Sequence, residues 1–134
     1  MKRQVVLTVS ESKRLIAKSV AALPEVQIAM KKGIVVVATG TTNAFVLEEL
    51  WGKKFDKRRY RSGITTPEAP EELGEPQGEP ISDVVFRNGE VEEELNRFNA
   101  VEQMGKGDVY IKGANALDYV GGVAGVLIGS PTGG

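Results

Sequence analysis

The stretch Lys32-Gly33-Ile34-Val35-Val36-Val37-Ala38-Thr39-Gly40-Thr41-Thr42-Asn43-Ala44-Phe45 predicts a buried strand, a turn of small residues and the start of a helix. Ile34–Val37 is a continuous β-branched run, typical of a strand covered on both faces. Gly40 allows a left-handed backbone and the close approach of another atom. A strand that leads into a helix N-terminus presents free N–H groups and a positive dipole end, which suits a phosphate or carboxylate.

The sequence of this turn allows two interpretations. In the first, an anionic ligand binds at Thr39, Gly40, Thr41, Thr42 and Asn43. In the second, the turn is an ordinary connection in which a threonine or the asparagine caps the helix. Neither the P-loop pattern nor the dinucleotide fingerprint is present, so no known motif decides between the two.

The composition is that of an ordinary globular domain. With 134 residues, 41% hydrophobic and 26% charged, the chain is expected to form one domain, 1–134. A net charge of −1 argues against non-specific binding to nucleic acid or membranes. No segment reaches the roughly 18 apolar residues of a membrane span, and no signal-peptide core precedes Thr8. These observations favour a cytoplasmic protein.

The residue types that are missing narrow the chemistry further. The chain has no cysteine and no histidine. Disulfides, thiolate nucleophiles, Ser-His-Asp catalysis and metal sites built on these residues are therefore excluded. Acid–base work would fall to Asp, Glu, Lys or Tyr. We expect neither a metal nor a cofactor.

Local signals place the elements on either side of the opening stretch. Residues 3–9 are rich in valine and predict a strand. Thr8 with Glu11, or Ser10 alone, starts a helix, and Pro24 begins a second one. Farther on, Asn88-Gly89 predicts a hairpin, or else a turn before a helix.

Three more elements follow in the second half of the chain. Residues 92–104 predict a helix, because apolar side chains recur at helical spacing at Leu95, Phe98, Val101 and Met104. Val109–Ile111 and residues 123–128 predict strands. Strands that alternate with helices indicate a three-layer, Rossmann-like α/β domain with a mostly parallel central sheet. Ile34–Val37, Val109–Ile111 and 123–128 would be buried neighbours whose carboxyl ends line one cleft.

Two segments predict irregular structure. Residues 66–80 hold four prolines and five glutamates and predict a loop, the most mobile internal segment. Residues 129–134 are glycine-rich and predict either a loose tail or a truncated element.

The run from Lys53 to Arg61 carries six basic residues and one acid, Asp56, with Phe55 and Tyr60 between them. One interpretation is a regulatory or assembly domain that binds nucleic acid or an acidic partner through this run. The other is a solvated connection whose charges pair with the acidic stretch that follows. The second interpretation is favoured, since charge runs are usually solvated, and binding of nucleic acid is not expected.

Two stretches resemble a known superfamily. Val37-Ala38-Thr39-Gly40-Thr41-Thr42 resembles its phosphate loop. Asp108-Val109-Tyr110-Ile111-Lys112-Gly113-Ala114-Asn115-Ala116-Leu117-Asp118 resembles the strand and turn that reads D-G-A-D-E in ribose-5-phosphate isomerase A and G-A-D in initiation-factor-2B-like isomerases. Glucosamine-6-phosphate deaminase, DeoR-type sensor domains and CoA transferases belong to the same superfamily. The resemblance implies a Rossmann-like fold and a phosphorylated ligand.

The catalytic residues of that superfamily are not matched. The acids of D-G-A-D-E fall on Lys112, Asn115 and Ala116, and the catalytic lysine of the isomerase has no counterpart. Lys112 and Asp118 remain as candidate catalytic residues. Each also has a plain structural interpretation, as a strand-end lysine in solvent and as the cap of a turn.

The sequence therefore predicts a domain that binds a phosphorylated sugar or a similar anionic metabolite. The turn before Asn43 would hold the phosphate, and Gly113, Ala114 and Asn115 would hold the hydroxyls. An isomerase-like activity with non-standard residues and assembly into a homo-oligomer are left open.

Overall fold

A computed structural model describes residues 3–61 and 78–127 of the chain. The helices of this part are α1 (Val9–Ala21), α2 (Pro24–Lys32) and α3 (Asn43–Trp51). The strands are β1 (Ile34–Val37), β2 (Val84–Arg87), β3 (Glu90–Val91), β4 (Val109–Ile111), β5 (Ala116–Asp118) and β6 (Val123–Gly125). Single 3₁₀ turns lie at Lys57–Arg59 and Val101–Gln103. The tail at 129–134 and most of the predicted loop at 66–80 lie outside the described residues.

Four strands form a mixed sheet in the order β3-β2-β1-β4, and β5 pairs only with β6. β1 runs parallel to β4, as predicted, but antiparallel to β2. The expected three-layer Rossmann-like fold with a mostly parallel sheet is therefore wrong. Its third parallel strand, at 123–128, contains β6, which pairs antiparallel with β5 in a separate hairpin. Only residues 112–122 separate β4 from β6, whereas a parallel crossover needs about a dozen residues or more.

β1 is buried on both faces, as its β-branched run predicts. Val35 and Val37 pack with the three helices, and Ile34 and Val36 pack against the segment before β4. The start of β1 is fixed by Asp108, whose Oδ1 accepts a 2.7 Å hydrogen bond from the Ile34 N–H. A Cβ on Gly33 would lie 2.5 Å from the same oxygen, so a side chain there would displace the carboxylate.

The helix boundaries follow their local signals. Thr8 and Glu11 form a complete capping box at the start of α1. Pro24 begins α2, and α3 ends at Gly52 in the left-handed conformation. Asn88 and Gly89 both have positive φ, at 53° and 86°, and join β2 to β3 in the predicted hairpin.

Two predicted elements are absent from the described part of the chain. Residues 3–7 form no strand and pair with no strand of that part. Residues 92–104 form turns rather than a helix. The Asn96 carboxamide oxygen accepts hydrogen bonds from the N–H groups of Phe98 and Asn99, and the Asn99 carboxamide oxygen accepts one from the Asn96 N–H. These local bonds compete with the helical pattern.

Candidate functional site

The turn between β1 and α3 is held from three directions. The Ala38 N–H donates to the Ile111 carbonyl of β4 at 3.0 Å, and the Gly40 N–H donates to the Tyr60 carbonyl at 2.9 Å. Between them, the Thr39 N–H donates to Asp83 Oδ1 at 2.8 Å. The first three N–H groups of the turn are therefore used by the protein itself.

Asn43 ties the first turn of α3 to two strands. Its side chain is buried, and Nδ2 donates to the carbonyls of Ala38 and Ile111 at 2.8 and 3.4 Å. The predicted side-chain cap is absent, because Thr42 occupies the N-cap position without a capping hydrogen bond. The side chain of Asn43 thus has a structural role, and only its backbone N–H remains for a ligand.

Three consecutive N–H groups at this helix start have no acceptor within residues 3–61 and 78–127. They belong to Thr41, Thr42 and Asn43. Such groups carry the positive end of the dipole of the nine-residue helix α3. Gly40 does not have a positive φ, and a Cβ built on it would meet only the Asn43 side chain, at 3.8 Å. The backbone conformation at this position therefore does not require glycine.

Helix α1 brings a positive charge to the same turn. Lys13 Nζ lies 3.2 Å from Thr41 Oγ1. The neighbouring Arg14 anchors α1 to α3, since it bonds Glu48 and lies 2.5 Å from Glu49 Oε1. Lys13 could not be predicted from the sequence, because no local signal shows that residues 28 positions apart are in contact.

Glu48 is the buried centre of this anchor. It accepts from Arg14 and, at 2.7 Å, from Lys57 Nζ. Burial opposes ionisation of Glu48, but the hydrogen bonds from Lys57 and Arg14 outweigh it and hold the pKa of the carboxyl below its ordinary value. Both cations also lie 4.9 Å from the centre of the Phe45 ring. The charges of this cluster are therefore satisfied internally.

On its other side, the turn is held by Asp83 and Tyr60, neither of which the sequence indicates as a site residue. Asp83, with a side chain only 8% exposed, pairs with Arg97 Nη1 at 3.3 Å. The buried Tyr60 hydroxyl donates to the Val37 carbonyl and accepts from the Val84 N–H at 3.0 Å. Burial raises the pKa of Tyr60, so its hydroxyl stays protonated. These contacts fix the carboxyl end of β1.

The second predicted turn begins at the same edge of the sheet. Val37 pairs with Ile111, and the exposed Lys112 directly follows. Beyond it, Gly113 and Ala114 lead to Asn115, whose Oδ1 accepts from the Leu127 N–H at 2.9 Å. The side-chain oxygen of Asn115 is thus engaged in the β5–β6 hairpin.

Asp118, a candidate catalytic residue, has a structural partner. Its Oδ1 accepts hydrogen bonds from the N–H groups of Val120 and Gly121, at 3.1 and 2.9 Å, across the end of the hairpin. This is the turn cap that the plain interpretation of Asp118 describes. Nothing in the described contacts couples this carboxylate to Lys112.

Three of the six basic residues of the run that begins at Lys53 have partners within the chain. Lys57 bonds Glu48, Arg58 bonds Asp56 at 2.7 Å, and Arg59 Nε donates to the Glu79 carbonyl. The interleaved Tyr60 is fully buried and therefore offers no stacking surface.

The chain matches no family model, no curated protein and no solved structure. Within residues 3–61 and 78–127, no helix is both long and apolar enough to cross a membrane. The same part of the chain contains no cluster of acidic side chains that could hold a metal ion.

Proposed function

We propose that this domain binds a small anionic metabolite at the N-terminus of α3, and that the ligand is a phosphorylated sugar or a compound of similar charge. The observation that carries the proposal is the set of three unused N–H groups, of Thr41, Thr42 and Asn43, beside the ammonium of Lys13. Backbone donors at a helix start and a nearby cation are the two components of a common phosphate site.

The arrangement of the turn favours a ligand outside the fold rather than a buried one. Thr41 is exposed, and its hydroxyl contacts Lys13 at the surface. The preceding N–H groups of Thr39 and Gly40 point to internal acceptors, so they hold the turn rigid. A preorganised set of donors loses little entropy on binding, which favours affinity for a small ion.

A second group of residues supports the sugar-phosphate class. Lys112 is exposed and follows the strand pair Val37–Ile111 by one residue, so its backbone lies at the same edge of the sheet. Gly113, Ala114 and Asn115 follow and remain the proposed contacts for hydroxyl groups. The resemblance of the stretch from Val37 to Thr42 to a phosphate loop points to the same ligand class.

The proposal is binding and does not include catalysis. The carboxylate of Asp118 is engaged in its own turn, and Lys112 has no acid partner within the described residues. General acid–base chemistry needs a donor and an acceptor placed on one substrate. Among the described residues, no such pair lies beside the proposed anion site.

The test is a thermal-shift screen of inorganic phosphate, sugar phosphates, nucleotides and acyl-CoAs. A ligand at 100 times its Kd should stabilise the fold by about 2.7 kcal/mol. For the best compound, Lys13→Ala should weaken binding about 10- to 100-fold, because a charged hydrogen bond is worth roughly 1.5–3 kcal/mol. Lys112→Ala should act in the same direction.

Lys18→Ala is the matched control, because Lys18 is an exposed lysine on the same helix as Lys13. Its removal changes the net charge by the same amount without touching the turn. Calorimetric titrations of the three variants separate a local effect from a general one. Equal affinities for Lys13→Ala and Lys18→Ala would contradict the proposal.

A further inference from the structure

The β5–β6 hairpin is exposed along its whole length. Every residue from Ala116 to Gly125 is exposed. The large apolar side chains that are exposed in the hairpin and in the two residues after it are Leu117, Tyr119, Val120, Val123, Val126 and Leu127. Its described hydrogen bonds stay within residues 113–127. An isolated two-stranded hairpin is marginally stable in water and needs a third strand or a packed layer.

A complementary segment lies at the other end of the described chain. Residues 3–7 lie outside any helix or strand, and none of their backbone groups has a hydrogen-bond partner in the described part of the chain. Val5 and Val6 are 74% and 88% exposed. An unpaired, β-branched segment of this kind is what an open strand edge accepts.

Helix α1 also carries exposed apolar side chains. Val9, Leu15 and Ile16 are 70%, 57% and 48% exposed. The described part of the chain therefore presents two apolar surfaces that have no partner within it. One is the hairpin, and the other is the N-terminal surface, meaning residues 3–7 together with Val9, Leu15 and Ile16.

We propose that the partner of the hairpin is the N-terminal surface of a second copy of this chain, with residues 3–7 added to the hairpin as a third strand. Because each copy carries both surfaces, a two-fold axis pairs both hairpins at once and leaves neither unpaired. The result is a closed dimer.

The area available is sufficient for a stable dimer. Burial of one Val or Leu side chain contributes about 1.5–3 kcal/mol to binding or folding. At roughly 25 cal/mol per Å² of apolar surface, this energy corresponds to ~60–120 Å² for each side chain. The exposed apolar side chains of the two surfaces then supply roughly 500–1,000 Å² for each contact at most. Two symmetric contacts reach on the order of 1,000–2,000 Å², the range of a standard interface.

The charges of the two surfaces are compatible. Asp118 is the single charged residue between positions 113 and 127, and Arg3 in the opposing segment has the opposite sign. A net charge of −1 gives little overall repulsion between copies. No like charges are therefore forced together when the surfaces meet.

The absence of native cysteine makes a disulfide test clean. A Val6→Cys chain is mixed with a Leu117→Cys chain under mild oxidation, and the mixed disulfide is quantified by mass spectrometry. In the control, a Val101→Cys chain replaces the Val6→Cys chain. Val101 is also exposed, at 52%, but it lies in the segment that packs against the other face of the sheet. The mixed 6–117 product should exceed the 101–117 product by about tenfold, because the interface raises the effective concentration.

Light scattering of the unmodified chain completes the test. The dimer predicts about twice the single-chain mass of 14.4 kDa. Val120→Lys, at a hairpin position that is 98% exposed, should restore the single-chain mass. It should not lower Tm by disturbing the core. Val101→Lys should leave the dimer intact. A single-chain mass at every concentration, or equal yields of the two disulfides, would overturn the proposal.

Discussion

The strand β1 and the strand β6 of the β5–β6 hairpin have opposite environments. Each begins a short apolar run in the sequence next to a turn of small residues. β1 is buried on both faces between the helices and the segment before β4, whereas all of β5 and β6 is exposed. The difference lies in their neighbours: β1 has a strand on each side, while β5 and β6 pair with no other strand in the described part of the chain. Apolar composition therefore indicates a strand, but the surrounding topology decides whether it becomes core.

The largest expected effect contrasts one leucine from each environment. Leu47 of α3 is fully buried, and Leu117 of β5 is 70% exposed. Leu47→Ala should lower the free energy of unfolding by about 2–5 kcal/mol, because it removes buried methyl groups and leaves a cavity. Leu117→Ala should change it by less than about 0.5 kcal/mol at a protein concentration low enough to prevent association. Urea denaturation of both variants checks this, and comparable losses would show that the hairpin belongs to the core.

A smaller effect is expected from a pair of tyrosines. Tyr60→Phe removes the hydroxyl that links the Val37 carbonyl to the Val84 N–H. Leaving these buried groups without a partner should cost roughly 1–3 kcal/mol. Tyr119, at 88% exposed, provides the matched control, and Tyr119→Phe should leave stability unchanged. If both variants had the wild-type Tm in thermal denaturation, the Tyr60 hydroxyl would not stabilise the carboxyl end of β1.

The smallest stability effect is pH-dependent and concerns Asp108. The N–H groups of Gly105 and Ile34 hold the pKa of this carboxyl below its ordinary value of 3.8. A lowered folded-state pKa adds stability above pH 3.8, and that stability is lost as the pH falls through the folded value. Asp108→Asn should therefore be less stable than the wild type at neutral pH, and the difference should shrink below about pH 4. A difference that stays constant from pH 7 to pH 2.5 would contradict this role.

The comparison also shows which features a sequence can reveal. The capping box at Thr8, the proline at the start of α2 and the Asn88-Gly89 turn are local signals, and each was predicted correctly. The helix expected at 92–104 failed because the asparagine side chains at 96 and 99 offer the backbone local hydrogen bonds that apolar periodicity does not register.

The fold and part of the site depend on contacts between distant residues. β2 lies beside β1 although 46 positions separate Val37 from Val84, so the antiparallel pairing had no local signal. The same is true of Lys13 at Thr41 and of Asp83 at Thr39. The turn between β1 and α3 could be predicted, because glycine and threonine before a helix favour a turn, but the side chains that position this turn could not.

The most direct test of the proposed anion site is a ¹H–¹⁵N NMR titration with inorganic phosphate. Saturable chemical-shift changes are expected for the amides of Thr41, Thr42 and Asn43. Phosphate affinity should be weaker in Lys13→Ala and unchanged in Lys18→Ala. The amides of Thr39 and Gly40 should shift less, because they are hydrogen-bonded to acceptors within the protein. Saturable shifts confined to other residues, or none at phosphate concentrations well above those of metabolites, would contradict it.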